Sequence, residues 1–269
     1  MSKDGASIKE AAIFMQAMED HLSSLRYAGM IQQALMPGPE LLSGILKDFF
    51  VFYLPKDIVS GDFYYAYQNA GYTIIAAGDC TGHGVPGALL SILGISFLNE
   101  IMQVRVVPRA NRILNRMREK VMGALDQKGA VAEKKDSIDI ALCVYEPYMG
   151  VLQYSGANRP LIMIRNGVMK EIKPDKMPIG VAPLEEVSFT NHRIEVQPGD
   201  CFYLFSDGYP DQFGEETNKK FKYKKFRDLL LSVQGKKMSE QKKIFEDTYY
   251  NWKGKTTQID DILVLGFEI

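Results

Sequence analysis

The sequence predicts one layered α+β domain, an α-β-β-α sandwich of two mainly antiparallel sheets flanked by helices, preceded by an N-terminal helical arm. Three observations predict this fold class. Short apolar and aromatic segments bounded by Gly or Pro recur through both halves of the 269-residue chain, as hairpin strands do. Two helical segments accompany the strands in each half, enough to cover the outer face of each sheet. Residues 1–36 carry a heptad pattern and no strand signal.

The N-terminal arm has apolar residues at two heptad positions. These positions hold Ile8, Met15, Leu22 and Gly29, and then Ala11, Met18, Leu25 and Gln32. The pattern persists for about three heptads, which fits either a helix packed on its own domain or a short coiled coil that forms a dimer. The segment MPGPE at 36–40 ends the helix, because two prolines in three residues cannot continue it. We therefore divide the chain into a linker at 1–36 and a domain at 37–269.

The first half of the domain predicts three strands and then two helices. The strands are expected at 49–54, 62–68 and 72–78, and the helices at 88–104 and 109–126. A polar loop at 129–135 ends this half. Gly71 lies in the short connection between the second and third strands, so these two strands are expected to form a hairpin.

The second half is again rich in strand signals. Strands are expected at 137–145, 151–155, 160–165, 168–172, 187–196, 201–205 and 261–269, and helices at 223–233 and 239–252. The dipeptide Asn166-Gly167 is a strong hairpin signal, because both residues tolerate positive φ. Such short connections favour antiparallel pairing.

Composition excludes several classes of protein. Lys plus Arg is 32 and Asp plus Glu is 33, so no excess of positive charge favours nucleic acid or an acidic membrane. No apolar stretch approaches the ~20 residues of a membrane span, and we expect no membrane insertion. The three scattered cysteines, Cys80, Cys143 and Cys201, predict reduced thiols and a cytoplasmic location. Three histidines are too few for a His-rich metal site.

Four acidic residues lie at the ends of apolar strands, each beside a small or acidic neighbour. They are Asp62 in SGDF, Asp79 in GDCTGHG, Asp207 in FSDG and Asp260 in QIDD. Each of them taken alone is typical of a turn residue. Together they are expected to meet at one edge of the sandwich, and the 16 residues between Asp62 and Asp79 are the length of one hairpin.

Such a cluster predicts a site for hard divalent cations. Carboxylate oxygens suit Mg²⁺ or Mn²⁺, and four like charges held close together are unstable without cations. Two such ions hold and activate a water and stabilise the oxygens of a phosphoryl group under in-line attack.

These segments resemble the SpoIIE-type, RsbU-like branch of the metal-dependent serine/threonine protein phosphatases, the PPM family. The resemblance covers about 48–269, and its motifs occur in the family's order: DIVSGDFYYAY, AAGDCTGHGVPGALLSILG, SGANRPL, PGDCFYLFSDGYPDQFG and QIDDILVL. It implies a two-metal centre of Mn²⁺ or Mg²⁺ on a fold of two antiparallel sheets flanked by helices. It also implies hydrolysis of phosphoserine or phosphothreonine by a metal-activated water, without a covalent enzyme intermediate.

The resemblance also assigns roles to residues. It implies that Asp79 bridges the two ions, that Asp62 and the main-chain carbonyl of Cys80 serve one ion, and that Asp207 and Asp260 serve the other. Asp261 then acts behind the ligands as the second acid of the DD pair. For contact with the phosphate we name Lys56, with Asn158-Arg159 as the alternative, since the sequence itself does not identify the group.

The same resemblance suggests partners and regulation. It implies a phosphorylated protein substrate, with a STAS-type anti-sigma antagonist as the expected class. The arm is expected to transmit the state of an upstream sensor module, or of a homodimer, to the metal site through Arg26, Ile31 and Leu35. The chain then acts as the output domain of a larger bacterial signalling protein.

Two other classes of function compete with this interpretation. The first is a catalytically silent module with the same fold that binds phosphoproteins. The presence of all four acids argues against this alternative. The second is a metal-dependent nuclease or phosphodiesterase, supported by the basic and aromatic run KKFKYKK at 219–225. We expect that run to be a solvated loop and helix start, because neighbouring acids balance its charge.

Overall fold

The structure, a computed structural model, describes residues 3–69, 71–103, 108–127, 136–181 and 187–269, with side chains from residue 10 onwards. The polar loop predicted at 129–135 and Val104, the predicted end of a helix, lie outside these residues.

The first half of the chain alternates between helices and antiparallel strands. Its elements are α1 (Lys3–Leu35), α2 (Pro39–Ile45), β1 (Asp48–Leu54), β2 (Phe63–Asn69), β3 (Tyr72–Cys80), α3 (Val85–Ile101), α4 (Ala110–Ala124), β4 (Ile138–Glu146) and β5 (Val151–Ala157). A single 3₁₀ turn, Pro147–Met149, connects the last two strands.

The second half completes both sheets. Its elements are β6 (Leu161–Arg165), β7 (Val168–Ile172), β8 (His192–Glu195), β9 (Cys201–Phe205), α5 (Gly208–Asp211), α6 (Tyr223–Ser232), α7 (Met238–Lys253) and β10 (Ile262–Glu268). The turn predicted at Asn166-Gly167 is confirmed, since both residues have positive φ, 50° and 75°.

The strands form two five-stranded antiparallel sheets. One sheet has the order β1-β10-β9-β6-β7 and the other β2-β3-β4-β5-β8. Apolar side chains from both sheets pack between them, among them Ile75, Cys143, Phe202 and Leu265. A second core joins α3 and α4 to the β3 sheet, and a third joins α6 and α7 to the β9 sheet. The predicted α-β-β-α sandwich with its N-terminal helix is confirmed.

The structure corrects three predicted elements. A separate helix, α2, begins at Pro39, because proline fits the first turn of a helix although it cannot continue one. The strand predicted at 187–196 is limited to β8, which pairs with β5 over four residues only. Helix α7 begins after Lys237, whose backbone N–H donates to the Glu240 carboxylate, and not at Ser239.

The arm joins its own domain only near its C-terminal end. Gly29, Gln32 and Met36, which continue the two heptad positions, are buried against the domain. Met15 and Met18, at the same positions further back, remain 70% and 55% exposed. Packing on its own domain thus accounts for one end of the heptad pattern, and a dimer seam at the other end stays a prediction.

Candidate functional site

Strand pairing brings the predicted acids to one edge of the sandwich. Phe63 of β2 pairs with Gly78 of β3, which makes Asp62 and Asp79 neighbours at the end of that hairpin. In the other sheet β9 ends just before Asp207, and β10 begins just after Asp260-Asp261. Because β9 and β10 are antiparallel neighbours, these acids also emerge at one end of the sheet.

A cavity of about 390 Å³ opens at this edge. Four acids line it, namely Asp79, Asp139, Asp207 and Asp260, together with Arg159 and His83. Asp62 is buried, with 2% of its surface exposed. One arginine therefore faces an excess of carboxylates, which is the electrostatic setting that attracts cations.

Asp62 is held in place by serines on both sheets. Ser206, which follows β9, donates its hydroxyl to Asp62 Oδ2 at 2.5 Å and accepts the backbone N–H of Leu263 at 3.0 Å. The Ser60 hydroxyl accepts the backbone N–H of Asp62 at 3.0 Å. Ser206 thereby links the start of β2 to the β9–β10 pair, so the buried carboxylate has little freedom to move.

Asp261 joins the last strand to the loop before β2. Its carboxylate accepts the backbone N–H of Lys56 at 2.8 Å and that of Gly61 at 2.7 Å. Its side chain is buried and does not line the cavity. Asp261 therefore positions the backbone next to Asp62, and its place behind metal ligands stays a prediction.

The segment after β3 runs close against neighbouring backbone. The N–H of Cys80 donates to the carbonyl of Gly61 at 3.3 Å, and that of Thr81 donates to Ser137 at 2.9 Å. A Cβ added to Gly87 would lie 2.2 Å from the carbonyl oxygen of Gly82, so only glycine fits there. Gly87 therefore allows the start of α3 to pack closely against the backbone of Gly82 and Gly61.

Arg159 forms hydrogen bonds with two of the acids that line the cavity. Its Nη2 lies 2.5 Å from Asp79 Oδ2 and 2.8 Å from Asp207 Oδ2, and 3.7 Å from the Asp139 carboxylate. Its side chain is 14% exposed. Arg159 was one of the two alternatives for the phosphate contact, and the structure places it inside the cavity. Lys56, the other alternative, is not among the residues that line it.

Burial and mutual repulsion raise the pKa values of the acids at this edge. Burial raises the pKa of Asp79 to about 7, against the opposing effect of Arg159. Burial and then repulsion by Asp79 raise the pKa of Asp62 well above its usual range. Burial also raises the pKa of Asp139 and of Asp260. These carboxylates are therefore under-compensated by the protein's own positive charge.

The donor set fits a hard divalent cation. It consists of carboxylate and carbonyl oxygens, which Mg²⁺ and Mn²⁺ prefer, and its raised pKa values indicate a deficit of positive charge. As they stand, no three acidic, His or Cys side chains within the described part of the chain are arranged to hold an ion. Asp79 Oδ2 and Asp207 Oδ2 instead accept hydrogen bonds from Arg159.

Gln32 connects the arm directly to the segment that carries Asp62. Its amide donates to the carbonyl of Ser60 at 2.5 Å and to the hydroxyl of Ser91 at 2.7 Å, and it accepts the N–H of Ser60 at 3.0 Å. Gln32 is 2% exposed. Nearby, Gly29 lies so close to Ile58 that a Cβ would stand 2.8 Å from the Ile58 carbonyl oxygen.

The three arm residues predicted to be regulatory face the solvent. Arg26 is exposed, and Ile31 and Leu35 are 46% and 42% exposed. They do not contact the site in this structure, whereas Gln32 and Gly29 hold the arm to it. A role for the three exposed side chains therefore stays a prediction, which would require a partner surface.

Residues of the basic run at 219–225 make contacts within the domain. Phe221 is buried, the hydroxyl of Tyr223 donates to Glu171, and Lys220 pairs with Asp211 at 2.7 Å. Lys225 packs over the ring of Trp252 at 3.9 Å. The aromatic side chains that base stacking requires are thus used in packing, which disfavours a nucleic-acid interface here.

Sequence reasoning missed two members of the site and left a third undecided. Asp139 pairs with Asp79 across β3 and β4, and the only signal for it is an acid between two isoleucines in an apolar strand. Ser206 lies in the FSDG motif, yet its bond to Asp62 spans 144 positions. Arg159 was named only as an alternative, because nothing in SGANRPL shows where its side chain points.

Comparisons with known proteins agree with this geometry. The family model described as Stage II sporulation protein E matches residues 69–269. The PP2C domain of SiaA from Pseudomonas aeruginosa is 28% identical with a TM-score of 0.84, covering 94% of this chain and 98% of that one. No curated protein matches the chain.

Two more distant structures share the fold alone. The RsbU and RsbW domains of a Mycobacterium tuberculosis protein are 20% identical with a TM-score of 0.62, covering 82% of this chain and 59% of that one. The catalytic domain of the serine threonine phosphatase PstP, solved with two manganese ions, is 15% identical with a TM-score of 0.57, covering 82% and 96%. Within the described residues, none of the helices combines the length and apolar character of a membrane span.

Proposed function

We propose, from the premise that this chain belongs to the SpoIIE family and has its PP2C-type phosphatase fold, that it is a metal-dependent protein serine/threonine phosphatase of bacterial signalling. The observation that carries the proposal is the meeting of Asp62, Asp79, Asp207 and Asp260 at one edge of the sandwich. They come from four segments that lie up to 198 positions apart, so no local turn accounts for their convergence.

The proposed centre takes two Mn²⁺ or Mg²⁺ ions. Asp79 would bridge them, Asp62 and the carbonyl of Cys80 would hold one ion, and Asp207 and Asp260 would hold the other. Bound ions would activate water and neutralise charge that develops on the phosphoryl oxygens. The protein's own part is to hold the carboxylates rigidly: Ser206 fixes Asp62, and the β3–β4 pairing fixes Asp79.

The phosphate of the substrate requires a positive group near the ions. Arg159 is supported by its place in the cavity and by a planar guanidinium, which can give two parallel hydrogen bonds to phosphate oxygens. Lys56 lies outside the cavity lining but near enough for its charge to lower the pKa of Asp260 slightly, against the larger effect of burial. We therefore favour Arg159 and keep Lys56 as the alternative.

The proposed substrate is a phosphoserine or phosphothreonine on a protein, with a STAS-type regulator as the favoured class. Support comes from the similarity to RsbU-type domains, one of which shares its chain with an RsbW domain. The three cysteines are unpaired and buried, which is compatible with the proposed cytoplasmic location.

The arm at 1–36 is proposed to control the site through α1. Gln32 holds both backbone groups of Ser60, two residues before Asp62, so displacement of the arm would release the segment that positions this ligand. The exposed residues Arg26, Ile31 and Leu35 would then meet an upstream sensor module or a second copy of the chain.

A catalytically silent phosphoprotein-binding module is the second candidate. It is favoured by one observation, that Arg159 occupies Asp79 and Asp207 in the present arrangement. In that case the acids would remain neutralised by the protein itself, and added ions would produce no turnover.

Hydrolysis of p-nitrophenyl phosphate with Mn²⁺ and with EDTA distinguishes these candidates. We expect turnover that requires Mn²⁺ and is lost in Asp207→Asn. Asp211→Asn is the matched control, because Asp211 lies one helical turn later and pairs with Lys220 at the surface. Equal rates in wild type and Asp207→Asn would contradict the proposed function, and absence of turnover throughout would favour the silent module.

A further inference from the structure

The guanidinium of Arg159 makes the contacts that the proposed ions would need. It bonds to Asp79 and Asp207, the acids assigned to both ions, and lies 3.7 Å from Asp139. We propose, on the basis of the proposed function, that Arg159 is a built-in cation that competes with divalent ions for Asp79 and Asp207. It stabilises the ion-free site and sets a threshold for ion binding.

The position of Arg159 is fixed by the connection between β5 and β6. Asn158 adopts a left-handed conformation with φ 57°, and its amide donates to Asp139 Oδ1 at 2.8 Å. The buried hydroxyl of Tyr154 donates to the carbonyl of Arg159 at 2.6 Å. A Cβ at Gly156 would stand 2.0 Å from that hydroxyl, so this packing requires glycine. The loop is thus built to hold an arginine against the acids.

The present arrangement leaves Arg159 incompletely satisfied. Its Nε is buried without a hydrogen-bond partner, while its Nη2 donates to Asp79 and Asp207 and lies 3.7 Å from the Asp139 carboxylate. A buried guanidinium that leaves one donor unused loses part of the energy that would otherwise fix it in one place. The same side chain can therefore move to another acceptor when an ion takes over the carboxylates.

Arg159 and a divalent ion compete because both are positively charged and both bind the same carboxylates. A divalent ion at Asp79 and Asp207 competes with Arg159 for the Oδ2 atoms of these carboxylates, and the guanidinium repels it at short distance. Without the ion, the arginine is the positive group that offsets the cluster. Removing its charge should therefore strengthen ion binding and weaken the ion-free protein, two effects of opposite sign.

Mn²⁺ titration without substrate tests this proposal, with free Mn²⁺ followed by its electron paramagnetic resonance signal. We expect Arg159→Gln to bind Mn²⁺ more tightly than wild type, by about tenfold or more, because the substitution removes a positive charge that repels the ion. Its thermal midpoint in EDTA should fall. Arg165→Gln is the matched control, because Arg165 pairs with Asp200 at the far end of β6 and should leave Mn²⁺ binding unchanged.

Arg159→Lys provides a second variant in case Arg159→Gln folds poorly. It keeps the positive charge, and its Mn²⁺ affinity should lie closer to that of wild type. Unchanged or weaker Mn²⁺ binding in Arg159→Gln would overturn the competition while leaving the proposed function intact. If wild type and Asp207→Asn bind Mn²⁺ equally, the proposed function itself fails, and the competition fails with it.

Discussion

The bond between the arm and the site gives a quantitative prediction for Gln32→Leu. Leucine fills a similar volume but offers neither donor nor acceptor. The substitution leaves the buried N–H of Ser60 without a partner, and leaves its C=O with only the longer contact from the Ser91 hydroxyl at 3.4 Å. Ser91 retains its bond to the carbonyl of Ala88 at 2.8 Å, so its hydroxyl stays satisfied.

The expected loss follows from these two buried groups. A buried polar group left unsatisfied costs about 1–3 kcal/mol, and two adjacent groups that share one partner together cost about 3 kcal/mol. With a urea dependence of about 3 kcal/mol per molar, the unfolding midpoint should fall by about 1 M. Release of the segment before Asp62 should also reduce the Mn²⁺-dependent rate.

Urea unfolding followed by circular dichroism measures the first effect, and p-nitrophenyl phosphate hydrolysis measures the second. Gln33→Leu is the matched control: the same change one residue later, at an exposed position. A midpoint for Gln32→Leu equal to that of Gln33→Leu would refute the reasoning, because the buried amide would then contribute nothing to holding the arm. If Gln32→Leu loses stability but keeps the wild-type rate of p-nitrophenyl phosphate hydrolysis, the arm stabilises the domain and does not control the site.

Three further predictions concern glycines and a buried charge. Gly29→Ala should weaken arm docking and lower the thermal midpoint, whereas Gly44→Ala, in α2 with open space around it, should raise stability by up to about 1 kcal/mol. Gly87→Ala should abolish activity or folding, since its Cβ would collide with the Gly82 carbonyl; an active, stable variant would contradict this contact. Asp62→Asn should stabilise the protein in EDTA by about 0.5–2 kcal/mol, measured by urea unfolding, because burial and then repulsion by Asp79 disfavour the ionised carboxylate that asparagine replaces, and it should lose turnover.

Much of the fold could be predicted because local signals and pairing rules agree. Alternating apolar segments and the Asn166-Gly167 turn specify antiparallel hairpins, and their lengths place Asp62 beside Asp79. Helix α2 was missed because a proline that ends one helix also begins another, and the sequence does not say which effect prevails.

The site was less predictable where contacts join distant segments. The role of Arg159 depends on the left-handed conformation of Asn158 and on the hydroxyl of Tyr154, and neither leaves a periodic signal in the sequence. Gln32 occupies a heptad position where an apolar residue is expected, and its side chain bonds to backbone groups of Ser60, 28 positions away. The heptads therefore indicated a buried face, while the polar contact on that face required the structure.

The two-ion centre is the central claim, and anomalous diffraction from crystals grown with Mn²⁺ tests it most directly. We predict two manganese peaks bounded by Asp62, Asp79, Asp207 and Asp260, with the Arg159 side chain withdrawn from Asp79. Crystals of Asp207→Asn, grown in the same way, should lose at least one peak. Absence of manganese from this edge in crystals of a protein that hydrolyses p-nitrophenyl phosphate would contradict the account.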